Sequence, residues 1–158
     1  MFSPKEILDM AIRLEKNGER VYRDAIKKNP NSPLSTLLEW MAEEEVRHAR
    51  WFDELRRSLE EENANPIMEE MNRELVQEML GDQTFSLKEV DLASIEDPDV
   101  LVGRFIEFER DSILFYQMLQ PFLKDETASQ NLERIIAEEN RHIEKLQEFI
   151  QTRKTETV

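Results

Sequence analysis

The chain has no cysteine in 158 residues, which excludes disulfides, thiolate metal sites, iron–sulfur clusters and cysteine nucleophiles. Glycine is also scarce, with three residues, and proline is limited to six, a composition that suits long helices rather than a sheet. No stretch approaches the 18 or so apolar residues of a membrane span, and the start, Met1-Phe2-Ser3-Pro4-Lys5-Glu6, has no apolar signal region. A cytoplasmic protein is the expectation. Basic charge is in deficit, 21 Lys and Arg against 35 Asp and Glu, and the net charge of −14 argues against nucleic acid and anionic membranes as partners. What remains is one domain's worth of chain, 39% hydrophobic and 35% charged, long enough to bury a core.

Helical periodicity organises that chain. A first helix is expected over about Pro4 to Lys28, with Ser3 as cap and an apolar stripe of Ile7, Ala11, Leu14, Gly18, Val21 and Ala25. Asn29-Pro30-Asn31-Ser32-Pro33 is a tight turn, so the next helix, about Pro33 to Asn63, runs back antiparallel to the first. A long connection follows over about 64–97. It is expected to carry an extra helix, Pro66 to Leu80, stopped by Gly81, and a short turn near Ser86. Its length can span the roughly 45 Å of the second helix and return the chain to the starting end. Asp97-Pro98 then opens another helix to about Leu123, with Pro121 disturbing its last turn. After Lys124-Asp125-Glu126 a last helix runs from about Thr127 to Thr152, followed by a frayed end. The reading is all-α: an antiparallel four-helix bundle with a long crossover carrying an extra helix between its second and third members, as a single domain over residues 1–158.

The two histidines are the sharpest feature. Both stand three residues after a glutamate, in Glu45-Val46-Arg47-His48 and Glu139-Asn140-Arg141-His142. With 26 Glu in the chain, chance alone places Glu there for both about one time in 36. The motifs are 94 residues apart (48 to 142), and the same offset carries Glu15 onto Glu109 and Tyr22 onto Tyr116, the only tyrosines. The chain therefore reads as a duplicated helical hairpin, about residues 5–60 and 99–154.

Positions i and i+3 share a helix face, so each Glu-x-x-His can address one metal environment. Glu15 and Glu109 stand within the apolar stripes of their helices, where a carboxylate is costly unless paired or ligated. Four clustered carboxylates would repel, and two divalent cations would balance them. Oxygen with imidazole suits iron or manganese; zinc tolerates the same ligands without redox chemistry. If both ions became trivalent, an oxo or hydroxo bridge would compensate.

A lone Glu on each of two helices with Glu-x-x-His on the other two is the ligand pattern of ferritin-like di-iron carboxylate proteins. The segments Ala11–Gly18, Ala42–Ala49, Phe105–Tyr116 and Ala137–His142 make nearly the whole chain resemble the rubrerythrin branch of that superfamily. The resemblance implies a ferritin-like bundle with Glu15, Glu45, His48, Glu109, Glu139 and His142 as ligands of two iron ions. Glu45 and Glu139 would bridge, and Glu15 and Glu109 would be terminal. It further implies reduction of hydrogen peroxide or dioxygen. Rubrerythrins typically receive electrons through a rubredoxin-like iron site. This chain has no cysteine to form one, so an external electron donor, such as a rubredoxin-like protein, is implied, with a homodimer as the assembly. The rubrerythrin pattern also has a carboxylate three residues after the Glu of the third bundle helix, linked to redox-dependent iron movement. Here that position is Ser112, its counterpart Gly18, and Glu19 is the nearby candidate for a seventh ligand.

Two readings of Tyr22 and Tyr116 stand side by side: hydrogen-bond partners of ligand carboxylates or electron relays, and plain core packing. Trp40 and Trp51 are read as core or interface, Glu43, Glu44 and Glu138 as solvated, and Arg47 and Arg141 as salt-bridging. Iron storage in a cage, or a metal-binding bundle without turnover, are the alternatives to an oxidoreductase.

Overall fold

The computed structural model describes residues 4–59 and 92–156, and all of its regular elements are helical. They are α1 (Pro4–Lys28), α2 (Pro33–Leu59), a 3₁₀ turn (Leu92–Ser94), α3 (Pro98–Leu119), a second 3₁₀ turn (Gln120–Phe122) and α4 (Glu126–Glu156). The expected extra helix at Pro66–Leu80, its Gly81 stop, the turn near Ser86, the Ser3 cap and the end of the second helix at Asn63 lie outside the described residues.

The turn between α1 and α2 is built by short polar side chains. Asn31 takes a left-handed φ of 61°, which asparagine tolerates better than most residues. Ser32 and Ser35 then cap α2 reciprocally. The Ser35 amide donates to Ser32 Oγ at 3.1 Å and the Ser32 amide donates to Ser35 Oγ at 3.0 Å. α3 starts as the sequence suggests, with the Asp97 carboxylate accepting from the Asp99 amide at 2.9 Å and Pro98 in the first turn.

Two boundaries differ from expectation. α3 gives way to 3₁₀ geometry at Gln120, before Leu123, because Pro121 has no amide proton with which to continue the α ladder. α4 persists to Glu156 where fraying was expected from Arg153 onward. Arg153 is the reason: its Nε donates to Asp99 on α3 at 3.1 Å and its guanidinium lies 5.8 Å from the Phe149 ring centroid.

α1 packs along α2, and α3 along α4. The two hairpins meet with α1 against α3 and α2 against α4. Their apolar stripes close into two cores. One gathers Ile7, Leu8, Phe52, Phe115 and Leu132; the other gathers Leu38, Met41, Val102, Phe105 and Leu146. The polar residues discussed below are buried in the same bundle interior. Among the described residues no helix is long and apolar enough to cross a membrane.

Leu132 is fully buried in the first core, whereas Leu114 is 52% exposed. Leu132→Ala should lower the unfolding free energy by about 2–5 kcal/mol. Leu114→Ala should change it by less than about 0.5 kcal/mol. Urea unfolding of the two variants checks this, and equal effects would contradict the core assignment.

Candidate metal centre

The six residues singled out by spacing converge. Glu15 comes from α1, Glu45 and His48 from α2, Glu109 from α3, and Glu139 and His142 from α4; none is more than 2% exposed. They form two overlapping sets of possible ligand atoms, each within a 4.8 Å span. One is Glu15, Glu45, His48 and Glu139; the other is Glu45, Glu109, Glu139 and His142. Glu45 and Glu139 belong to both sets, the position a bridging carboxylate must occupy.

Both imidazoles turn Nδ1 inward. His48 Nδ1 lies 2.8 Å from Glu139 and 3.5 Å from Glu15. His142 Nδ1 lies 3.4 Å from both Glu45 and Glu109. The rings stack with centroids 6.4 Å apart.

The outward Nε2 atoms meet carboxylates that were expected to be solvated. His48 Nε2 is 2.5 Å from Glu138, and His142 Nε2 is 2.5 Å from Glu44. Glu44 is buried and Glu138 is half-buried, and only Glu43 of the three faces solvent. Each carboxylate follows its helix's turn away from its own motif and reaches the histidine of the other half. Such a partner fixes the ring and holds the proton on Nε2, leaving the Nδ1 lone pair for a cation. Arg47 donates to Glu44 at 2.9 Å, the salt bridge expected of it. The available sequence signal was the shared offset: Glu44 and Glu138 are themselves 94 residues apart.

The tyrosines choose one of the two readings left open. The Tyr22 hydroxyl donates to Glu109, and the Tyr116 hydroxyl donates to Glu15, each across the bundle and each fully buried. Both phenols are pushed well above their ordinary value, by burial first and by those carboxylates next. They also pack: Tyr22 against Phe105 and Tyr116 against Phe52.

Charge is the central problem of this cluster. Burial pushes Glu45 and Glu139 well above the ordinary carboxylate range, and each raises the other. Glu109 goes the other way, to about 2, because the neighbouring Glu139, the charge of His142 and the Tyr22 hydrogen bond outweigh its burial. Burial also works against charge on the imidazoles, but Glu15 raises His48 strongly and Glu109 helps hold His142 at about 10. Protons thus stand in for cations. The donor set fits metal on a separate ground. Glu15 Oε2, Glu45 Oε1, His48 Nδ1, Glu109 Oε2 and both Glu139 oxygens are buried without a hydrogen-bond partner, and the 2.8 Å approach of His48 to Glu139 is misaligned for one. Six orphaned donor atoms on residues of the two overlapping sets are what a pair of cations would satisfy.

Glu19 stands apart from both ligand sets, its carboxylate accepting from Arg23 Nε at 2.9 Å. Ser112 is buried with Oγ donating to the Phe108 carbonyl at 3.1 Å. Its counterpart Gly18 is required by close approach. A Cβ there would lie 2.9 Å from the Phe108 ring and 3.0 Å from the Glu45 carboxylate.

The fold and site define a helical bundle with a buried carboxylate–imidazole cluster whose donor atoms could hold metal ions. Residues 6–150 match the sequence profile of the rubrerythrin family, and the chain belongs to that family. A solved chain from Thermotoga maritima, described as a ferritin-like diiron-carboxylate protein, shares the fold with a TM-score of 0.65 at 24% identity, over 93% of each chain. No curated protein matches the chain.

Glu44→Gln or Glu138→Gln should weaken ferrous ion binding by roughly 10–100-fold while leaving the fold intact, measured by titration against a competing chelator. An unchanged affinity would mean that these carboxylates do not orient the histidines.

The chelated protein should also respond to pH in a defined sense. His142 is raised from 6.5 to about 10, so its stabilisation is complete below 6.5 and is lost as pH climbs toward 10. Glu45 and Glu139, raised above 4.5, act in the same direction, whereas Glu109 loses its contribution only as pH falls from 4.5 toward 2. The Tm of chelated protein should therefore fall between pH 6.5 and 10, and the gain on adding ferrous iron should grow over that range, since metal displaces protons. A flat profile would contradict the protonated picture of the centre.

Proposed function

We propose that the chain is a non-haem di-iron oxidoreductase that reacts with hydrogen peroxide or dioxygen and is re-reduced by an external electron donor. The observation that carries this reading is the pair of overlapping ligand sets sharing Glu45 and Glu139. Membership of the rubrerythrin family and the likeness to a fold described as diiron-carboxylate support iron as the metal. Manganese fits the same donors.

Glu15 and His48 would hold one ion, Glu109 and His142 the other, with Glu45 and Glu139 spanning both. When bound, the two ions supply the electrons that cleave an O–O bond. The protein's own residues arrange the conditions. Tyr22 and Tyr116 hold Glu109 and Glu15 by hydrogen bonds, which limits how far those terminal carboxylates can swing. Glu138 and Glu44 hold the imidazoles by Nε2 and so keep Nδ1 aimed inward. The apolar cores restrict water around the buried carboxylates. Ser112 is engaged with its own helix backbone and Glu19 with Arg23, so neither arrangement favours exchange of a histidine for a nearby carboxylate on oxidation.

With no cysteine in the sequence, the electrons are proposed to come from a separate carrier, such as a rubredoxin-like protein. The proposed assembly is a homodimer, in contrast to the cage that storage would need. Size-exclusion chromatography separates the two, with a cage-sized particle and a mineral load favouring storage.

Anaerobic titration should give about two ferrous ions per chain, as the ligand pattern requires. Peroxide should then oxidise them, with a new optical band. Glu45→Ala combined with Glu139→Ala should abolish the uptake. Undiminished stoichiometry in that double variant, or an iron-loaded protein inert to both peroxide and dioxygen, would refute the proposal.

A further inference from the structure

The duplicated centre repeats its tyrosine and outer histidine hydrogen bonds, but an aromatic residue in contact with one candidate ligand has no counterpart. Tyr22 on Glu109 mirrors Tyr116 on Glu15, and His48 on Glu138 mirrors His142 on Glu44. Trp40 has no such mate, because position 134 in the other half is an exposed arginine. The Trp40 ring stands edge-on to the His142 imidazole, with centroids 5.2 Å apart at 80°. Trp40 is itself half-buried, so this aromatic ring touches both a candidate ligand and the surface.

This matters because, apart from the half-buried Glu138 carboxylate on His48, little of the centre reaches the surface. The six candidate ligands and both tyrosines are buried, and apolar side chains close both cores. An electron from an external carrier must cross that wrapping. The other half-buried indole, Trp51, is more remote. Its ring is 5.0 Å from Phe52, which lies 5.1 Å from Tyr116, which in turn donates to Glu15. Trp40 reaches a candidate ligand in a single ring-to-ring contact.

We propose that Trp40 is the electron port of the centre, coupling a docked one-electron carrier through its indole and the His142 imidazole to the ion at the Glu109–His142 position. The inference rests on the di-iron reading above. Two carrier molecules each give up one electron, a ferric pair gains two and becomes ferrous, and the indole bridges without changing its own oxidation state. The exposed Glu39 and Glu43 flank Trp40 on α2, and the chain carries a net charge of −14, so a cationic carrier face is the complement. The two metal positions are thereby inequivalent, although their hydrogen-bond partners are alike.

The full chain is loaded with ferrous iron, oxidised with peroxide, desalted and mixed in a stopped-flow with reduced methyl viologen, a cationic one-electron dye. Trp40→Leu should slow the loss of ferric absorbance on the order of tenfold, or ~1.4 kcal/mol in the barrier, at unchanged iron content. Trp40→Phe, which keeps a ring, should recover most of the rate, and Trp51→Leu should match the parent. A second readout involves no turnover. Cobalt(II) titration should quench the emission of Trp51→Phe, where Trp40 is the only indole, and leave that of Trp40→Phe largely intact. Equal re-reduction rates in parent and Trp40→Leu, equal slowing in Trp51→Leu, or a Trp40 emission indifferent to cobalt would each overturn the port. A parent that takes up no iron overturns the di-iron reading and the port together, whereas an iron pair whose reduction ignores Trp40 overturns the port alone.

Discussion

The burial of four carboxylates at the meeting of four helices is the constraint on which the rest of this structure depends. Glu15, Glu45, Glu109 and Glu139 are each at most 1% exposed, in a setting where an unpaired carboxylate would normally neutralise itself or refuse to enter. The bundle tolerates them by three devices. Two of the carboxylates take up protons, two imidazoles take up charge, and two tyrosines donate hydrogen bonds from opposite helices. Each device is held in place by packing rather than by the loops. Tyr22 is fixed by Phe105, Tyr116 by Phe52 and Phe115, and Gly18 leaves the room that the Glu45 carboxylate occupies. A polar cluster of this kind weakens a fold unless something of positive charge completes it, so the arrangement has a ligand-binding logic rather than a stability logic.

The same constraint explains how much of the site could be read in advance. A ligand carboxylate has to lie in an apolar stripe, and Glu15 and Glu109 betray themselves by interrupting one. A Glu-x-x-His pair must share a helix face, and three-residue spacing is visible in any alignment of the chain with itself. All six residues therefore stood out by pattern, and the structure brings them together. Glu44 and Glu138 did not stand out, because a residue adjacent to a ligand is rotated by about 100° around the helix and reads as outward-facing. In an antiparallel bundle that direction is toward the neighbouring helix, so Glu44 on α2 meets His142 on α4 and Glu138 on α4 meets His48 on α2. The partner lies in the other half of the chain, and no single-helix argument finds it.

Helix limits followed a similar division. The starts at Pro33 and Pro98 were legible because caps are local chemistry, and Ser32 and Asp97 perform it within a few residues. The ends depended on more. Pro121 ends the α ladder earlier than its position near the turn implied, and α4 outlasts its apolar stripe because Arg153 is tied to Asp99 on another helix. Trp40 was legible only as a large apolar residue. That its ring would rest on His142 is a consequence of how α2 and α4 approach each other.

Duplication supplies a further argument about how such a centre comes to do chemistry. Two copies of a hairpin yield two equivalent ligand sets, which suffices to hold a pair of cations. Directional electron flow needs the equivalence broken outside the ligands, where a change does not cost the metal. Pairs that differ between the halves include Gly18 and Ser112, Glu19 and Ile113, Trp40 and Arg134, and Trp51 and Lys145. None is among the six candidate ligands, and the hydrogen bonds of the tyrosines and histidines are kept on both sides. The halves have diverged around a kept ligand set, and at Trp40 the change falls where the centre meets the surface, which is where a protein can alter its reaction partners while leaving its ligand geometry alone.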